Sequence, residues 1–173
     1  MSENAQLEQI QLDFVPNEDR LLLKLRAGNQ LYRAWLTRRF VRLLIPMLMG
    51  IRPDTGERFA DTPALPPEED AQLEPSSQPP LEQATPGHDT PLEYPLGETP
   101  ILAVELSYLP STAERPQAQL AIKPARGQGI LLPYQPTINH MLLKLLRRTL
   151  QVTDWEQPLN WETLAAPSDR RLQ

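Results

Sequence analysis

Few side chains in this sequence have the types and spacing that metal binding or catalysis requires. The chain has no cysteine, and neither of its histidines, His88 and His140, has a second ligand at a metal-site spacing. Gly127-Gln128-Gly129 lacks the rest of a phosphate-binding loop and leads into a predicted strand. No serine or threonine stands in a nucleophile-elbow motif, and the carboxylates concentrate in a segment that cannot fix their geometry. We therefore expect no enzymatic activity, no cofactor and no small-molecule substrate.

One set of residues does suggest binding, namely basic side chains around a tryptophan on one face of a predicted hairpin. Gly28-Asn29 predicts a two-residue turn, so residues whose numbers sum to 57 pair across it and leave one apolar face for the core. The opposite face carries the candidate binding residues Arg20, Leu22, Lys24, Arg26, Arg33 and Trp35. Long basic side chains often cover apolar neighbours on a solvated face. Alternatively, cations beside an aromatic ring suit an acidic partner, including nucleic acid.

A second candidate is apolar surface for self-association. A helix is predicted over residues 38–49, with Thr37 as its N-cap, and Pro46 is expected to kink or end it. The helix is apolar over more than half of its circumference, so it is either deeply buried or packed against another subunit. The apolar arm after Asp154 docks either on its own domain or on a second copy. The candidate interface residues are Phe40, Val41, Leu44, Ile45, Leu48, Trp155 and Trp161.

Two similar halves are predicted to position these residues. In residues 9–51, the alternation of apolar and polar residues and the turn signals predict three strands followed by the helix. Residues 99–153 repeat that order, with a second helix that Thr137 is expected to cap. The strands of this half are predicted at 100–109, 117–123 and 129–134. The inner face of its helix is predicted to hold Ile138, Met141, Leu142, Leu145, Leu146 and Thr149. The fold class is therefore α+β, with antiparallel sheet from two β-β-β-α halves and two amphipathic helices packed on it.

The segment between the halves, residues 52–98, has a different composition. It holds eleven acidic and two basic residues and ten of the twenty prolines, so its net charge is −9 while the rest of the chain is +4. Few of its residues could build a core, which predicts a disordered or polyproline-like insert. The ordinary interpretation is a solvated tether. Alternatively, the insert binds a partner or folds back on the basic half. Residues 154–173 are predicted to be an irregular C-terminal arm.

The function hypotheses follow from charge and exposed apolar surface. Residues 1–11 lack a signal-peptide pattern, and the longest apolar stretch is too short to cross a bilayer, so we expect a cytoplasmic protein without membrane insertion. The leading hypothesis is a non-enzymatic protein–protein interaction protein of the scaffold or adaptor kind, which binds a protein partner or self-associates as a homodimer. The alternative is a nucleic-acid-binding module that uses the basic, tryptophan-bearing face and is autoinhibited by the acidic insert. The net charge of −5 weighs against this alternative.

Overall fold

The computed structural model describes residues 7–59 and 91–155, which form two sheets and two helices. The first sheet has the order β1-β2-β3-β4 and the second the order β5-β6-β7. The predicted α+β class is therefore confirmed. The strands are β1 (Gln9–Val15), β2 (Arg20–Ala27), β3 (Gln30–Leu36), β4 (Ile101–Leu102), β5 (Glu105–Leu109), β6 (Gln119–Lys123) and β7 (Ile130–Pro133). The helices are α1 (Arg38–Leu48) and α2 (Pro136–Leu150).

A short turn sets the register of the first sheet. Gly28 has a φ of 61°, and the turns that close two-residue hairpins require such a positive φ at their first central position. Leu21 consequently pairs with Leu36, and Leu23 with Ala34, as the hairpin pattern predicts. All four of these side chains are fully buried, so the predicted core face is confirmed.

Helix α1 begins where the sequence predicts it to begin. The Thr37 hydroxyl accepts a hydrogen bond from the Phe40 amide at 3.2 Å, as an N-cap does. Pro46 removes one backbone hydrogen bond, yet the helix continues to Leu48. Just past the helix end, the Met49 amide donates to both the Ile45 and Pro46 carbonyls, which keeps the last turn closed.

The second half differs from its prediction at its first strand. The residues predicted as one strand over 100–109 form two, because the chain crosses from one sheet to the other at Ala103 and Val104. The Ala103 amide donates to the Trp35 carbonyl of the first sheet, and the Val104 amide to the Lys123 carbonyl of the second. Strand β4 pairs with β3 in parallel, so the first sheet is not purely antiparallel. An alternating pattern cannot distinguish one strand from two that meet at such a crossover.

Helix α2 also differs from its prediction in two details. Gln135 occupies its N-cap position and makes no side-chain capping bond, so the prediction that Thr137 caps this helix was wrong. The helix instead starts with Pro136, which needs no partner for a missing amide. Its inner face is rotated by about one position, because Asn139 and Leu143 are buried while Met141 is 43% exposed.

The two halves share one core, and the predicted insert is shorter than its sequence suggests. Buried side chains from both sheets and both helices form a single cluster. Residues 52–59 and 91–98 belong to the fold, since the Phe59 amide bonds to the Gly50 carbonyl and Glu93 forms an isolated bridge with Gln30. The rest of the predicted insert, 60–90, lies outside the described residues.

Candidate functional site

The basic side chains of the predicted binding face contact other groups of the fold. Lys24 forms an ion pair with Asp13 on the neighbouring strand, with 3.8 Å between nitrogen and oxygen. Arg26 is buried, and its Nε donates to the Gly28 carbonyl at 3.0 Å. Local contacts therefore hold these two cations at the hairpin.

The other residues of this face lie at its rim or beside a strand that the sequence did not place there. Arg20 lies 3.9 Å from the Glu18 carboxylate. Arg33 stacks over the Tyr94 ring, 4.8 Å from its centre, and its guanidinium donates to the Glu98 carbonyl. Leu22 and Trp35 are half-buried, and β4 adds Leu102 to their row. The face is therefore partly covered by residues 91–102.

The predicted helical interface lies inside the fold. Five of its residues, all on α1, are at most 2% exposed, and they pack in the same cluster as the core leucines of the first sheet. Of the two alternatives for this helix, deep burial in its own chain is the one observed. These residues are Phe40, Val41, Leu44, Ile45 and Leu48.

The start of the C-terminal arm docks on its own domain. Trp155 is buried, its ring meets Phe14 edge to face at 6.1 Å, and its indole N–H donates to the Asp19 carboxylate at 2.6 Å. The Arg38 guanidinium lies over the Trp155 ring, 5.5 Å from its centre. Trp161, the last candidate interface residue, lies outside the described residues.

An open groove lies between the end of α1 and the first strand of the second sheet. Its volume is about 410 Å³, which is the size of a small binding cleft. Apolar side chains from both elements line it, and a charged pair from the loop after α1 stands at its edge. The lining residues are Leu43, Met47, Arg52, Pro53, Asp54, Phe59, Leu106, Ser107 and Tyr108.

A tight loop forms the outer wall of this groove. Gly50 ends α1 with a φ of 76°, and Gly56 turns the chain back with a φ of 73°. The Gly56 amide donates to the Arg52 carbonyl and the Phe59 amide to the Gly50 carbonyl, each at 2.8 Å. The loop therefore returns Phe59 to the helix end, where the Arg52 guanidinium lies 5.7 Å from the centre of its ring.

Three aromatic rings pack together at the groove, and two of them, Phe59 and Tyr108, line it. Phe59 lies 4.6 Å from Tyr108 between ring centres, and Tyr108 meets Tyr134 edge to face at 5.1 Å. The Tyr134 hydroxyl donates to the Met47 carbonyl at 2.7 Å, which ties the second sheet to α1. Burial, reinforced by Tyr108, raises the pKa of Tyr134 from 10.0 to about 12 although Arg58 acts in the opposite direction. The phenol is therefore a neutral hydrogen-bond donor at physiological pH.

The groove borders an unpaired strand edge. The Tyr134 amide donates to the Ala118 carbonyl, which makes these residues a hydrogen-bonded pair of the β6–β7 ladder. Bonded pairs recur at every second residue, so β6 turns the backbone of its alternate residues, starting at Gln119, towards β5. The β5 residues opposite them, Glu105, Ser107 and Leu109, bond to β6, so Leu106 and Tyr108 direct their amides and carbonyls away from it. Within residues 7–59 and 91–155, β5 has no other strand to pair with.

No other chemistry gathers at this site in the described part of the chain. Across residues 7–59 and 91–155, no cluster of three His, Cys, Asp or Glu side chains could hold a metal ion. None of the helices described there is long and apolar enough to cross a membrane. Comparison of the chain with models of protein families, with curated proteins and with solved structures finds no match.

Sequence reasoning missed the groove because its outer wall was assigned to the insert. The signal was nevertheless present. Residues 52–56 read Arg-Pro-Asp-Thr-Gly, a turn pattern, and Phe59 follows in an otherwise polar stretch. An aromatic residue just after a turn indicates a chain that returns to the core. The partner of Phe59, Tyr108, stands far along the sequence, so no local pattern could connect them.

Proposed function

We propose that this chain is a non-enzymatic protein–protein interaction module of the scaffold or adaptor kind, with its docking site at the groove beside β5. The observation that carries the proposal is an open apolar groove next to a strand edge whose outward backbone groups have no partner in the described residues. Unpaired amides and carbonyls on an edge strand bind another extended chain, and an adjoining apolar pocket selects its side chains.

The contrast with the two predicted surfaces supports this choice. The five predicted interface residues of α1 are buried by the chain itself, so they offer no surface to a partner. On the basic face, Lys24, Arg26 and Arg33 are engaged by neighbouring groups, which weakens the case for nucleic acid. The groove instead combines solvent access, apolar lining and backbone hydrogen-bonding groups in one place.

Site-specific photo-crosslinking tests the proposal. A photoreactive phenylalanine analogue at Leu43, on the groove wall, should give a discrete protein adduct in cells that express the chain. The same analogue at Val152, which is 69% exposed beyond the end of α2, is the matched control and should give none. The adduct partner is then identified by mass spectrometry and its binding is measured with purified proteins.

The outcomes separate clearly. A partner that binds the purified chain and is displaced by Leu43→Glu supports a docking function for the groove. Equal adducts from both positions, or none from the groove, would contradict it. Leu43→Glu must keep the wild-type circular dichroism spectrum, since Leu43 is half-buried and its replacement could otherwise act through unfolding.

A further inference from the structure

We infer that the occupant of the β5 edge is a second copy of this chain, paired antiparallel through β5 about a two-fold axis at Ser107. This inference rests on the proposed function, because it uses the same groove, and it names the partner. Its first support is the length of the available edge, which is limited at both ends.

The available edge is limited to two residues. At one end, the Val104 amide already donates to the Lys123 carbonyl at 2.9 Å. At the other end, Pro110 has no amide, and its carbonyl accepts a hydrogen bond from the Arg115 guanidinium at 3.0 Å. Leu106 and Tyr108 are therefore the β5 residues that turn both an amide and a carbonyl towards a partner strand.

The two amides and two carbonyls of one copy complement those of a second copy. If Ser107 faces Ser107 of a second copy, Leu106 lies opposite Tyr108 of that copy, and the reverse holds. In an antiparallel ladder a bonded pair exchanges two hydrogen bonds, so the two pairs make four, and the interface uses the same patch on both subunits. A partner strand of any other sequence would satisfy the backbone equally well, but this register is the one in which the chain satisfies itself.

Side chains and charges fit the same arrangement. Opposed residues of paired strands project on the same side of the sheet, so Leu106 and Tyr108 of each copy would project towards the groove of the other. Glu105 would lie opposite Leu109 of the second copy, next to Pro110, whose carbonyl holds Arg115. Each end of the paired strands thereby brings a carboxylate near the guanidinium of the other subunit.

Introducing a charge at Ser107, on the two-fold axis, tests this register. Ser107→Lys and Ser107→Glu each place like charges directly opposite one another, which destabilises a strand pair. We expect the wild type to be a dimer at tens of micromolar by sedimentation velocity in low salt. Each variant alone should associate up to about fivefold more weakly, because a like-charged cross-strand pair costs up to about 1 kcal/mol. An equimolar mixture of the two variants should recover the wild-type dimer.

Leu131→Lys is the matched control for charge. Leu131 lies in the same row of the second sheet as Ser107, on the opposite edge strand, and is 56% exposed. Its substitution should leave association unchanged. A monomeric wild type, or association that Ser107→Lys leaves intact, would overturn the inference.

A disulfide gives a second readout that does not depend on tight association. The chain has no cysteine, so Ser107→Cys can form only a bridge between copies. Opposed residues of a non-bonded antiparallel pair have Cα atoms about 4.5 Å apart, within the range a disulfide spans. Mild oxidation should crosslink Ser107→Cys and not Leu131→Cys. Equal crosslinking of both, or of neither, contradicts the pairing. A groove adduct with a different protein, together with a monomeric chain, would overturn this inference and leave the proposed function standing.

Discussion

At the residue scale, Tyr134 forms one of the polar links between the two halves of the chain. Its hydroxyl crosses from the end of β7 to the carbonyl of Met47, near the end of α1, and its ring packs against Tyr108. Both contacts fix the inner wall of the groove. Because burial of the hydroxyl disfavours a phenolate, the stability of the fold depends on pH.

The stability of the wild type should fall as the pH rises from about 10 to about 12. Below this window the phenol of Tyr134 is neutral in both states. Within it, the unfolded chain loses the proton first, because its pKa is 10.0 whereas burial raises the pKa of Tyr134 to about 12 in the fold. Tyr134→Phe should show a flatter decline in urea unfolding between pH 8 and pH 11. At pH 8 it should cost about 0.5–1.5 kcal/mol for the lost hydrogen bond. An unchanged pH slope in the variant would contradict the assignment.

At the element scale, the two helices begin in different ways although both have a threonine at the predicted cap. Thr37 precedes α1 and holds the Phe40 amide. Thr137 lies inside α2, exposed to solvent, and Pro136 before it already provides the first helical residue. In a Pro-Thr sequence at a helix start, either the threonine caps the helix or the proline is its first residue. The fixed φ of proline suits the first helical position, and the second arrangement is the one found here.

Replacing the two threonines separates a capping residue from one that only resembles it. Thr37→Ala should lower the free energy of unfolding by about 1 kcal/mol, because one amide of the first turn loses its partner. Thr137→Ala should change it by less than about 0.5 kcal/mol, as exposed substitutions usually do. Chemical denaturation of both variants checks this. Equal losses would mean that Thr137 contributes to a cap after all.

What the sequence could predict depended on whether the determining contacts were local. The hairpin register of the first sheet follows from Gly28-Asn29 and the alternation around it, and the structure reproduces it pair by pair. The crossover at Ala103 depends on Trp35 and Lys123, which are remote in sequence. The groove depends on the contact between Phe59 and Tyr108. The unpaired edge of β5 depends on which residues of β6 bond to β7 and which bond to β5. No periodicity in the chain encodes such contacts.

At the scale of the whole molecule, the basic residues of the hairpin stabilise the fold, whereas the sequence alone suggested that they bind nucleic acid. The net charge is −5, and the hairpin cations that made nucleic acid an alternative bind groups of the fold. Arg33 is the clearest case, because it contacts Tyr94 and the Glu98 carbonyl and so fastens residues 91–98 beside β3. Its role in this arrangement is to hold residues 91–98 against the first sheet.

Arg33→Ala should therefore lower stability, and neither the wild type nor the variant should bind nucleic acid. The lost contact with Tyr94 is worth about 0.5–1 kcal/mol, and Arg39→Ala, an exposed change at the start of α1, is the control that should cost less than about 0.5 kcal/mol. Fluorescence anisotropy with single-stranded DNA and RNA at low salt should detect no binding by the wild type. A phosphate-binding face would instead give an affinity that falls steeply with added salt and is lost in Arg33→Ala. Such a salt dependence would restore the nucleic-acid alternative, because cations held by protein groups release no counterions from a nucleic acid.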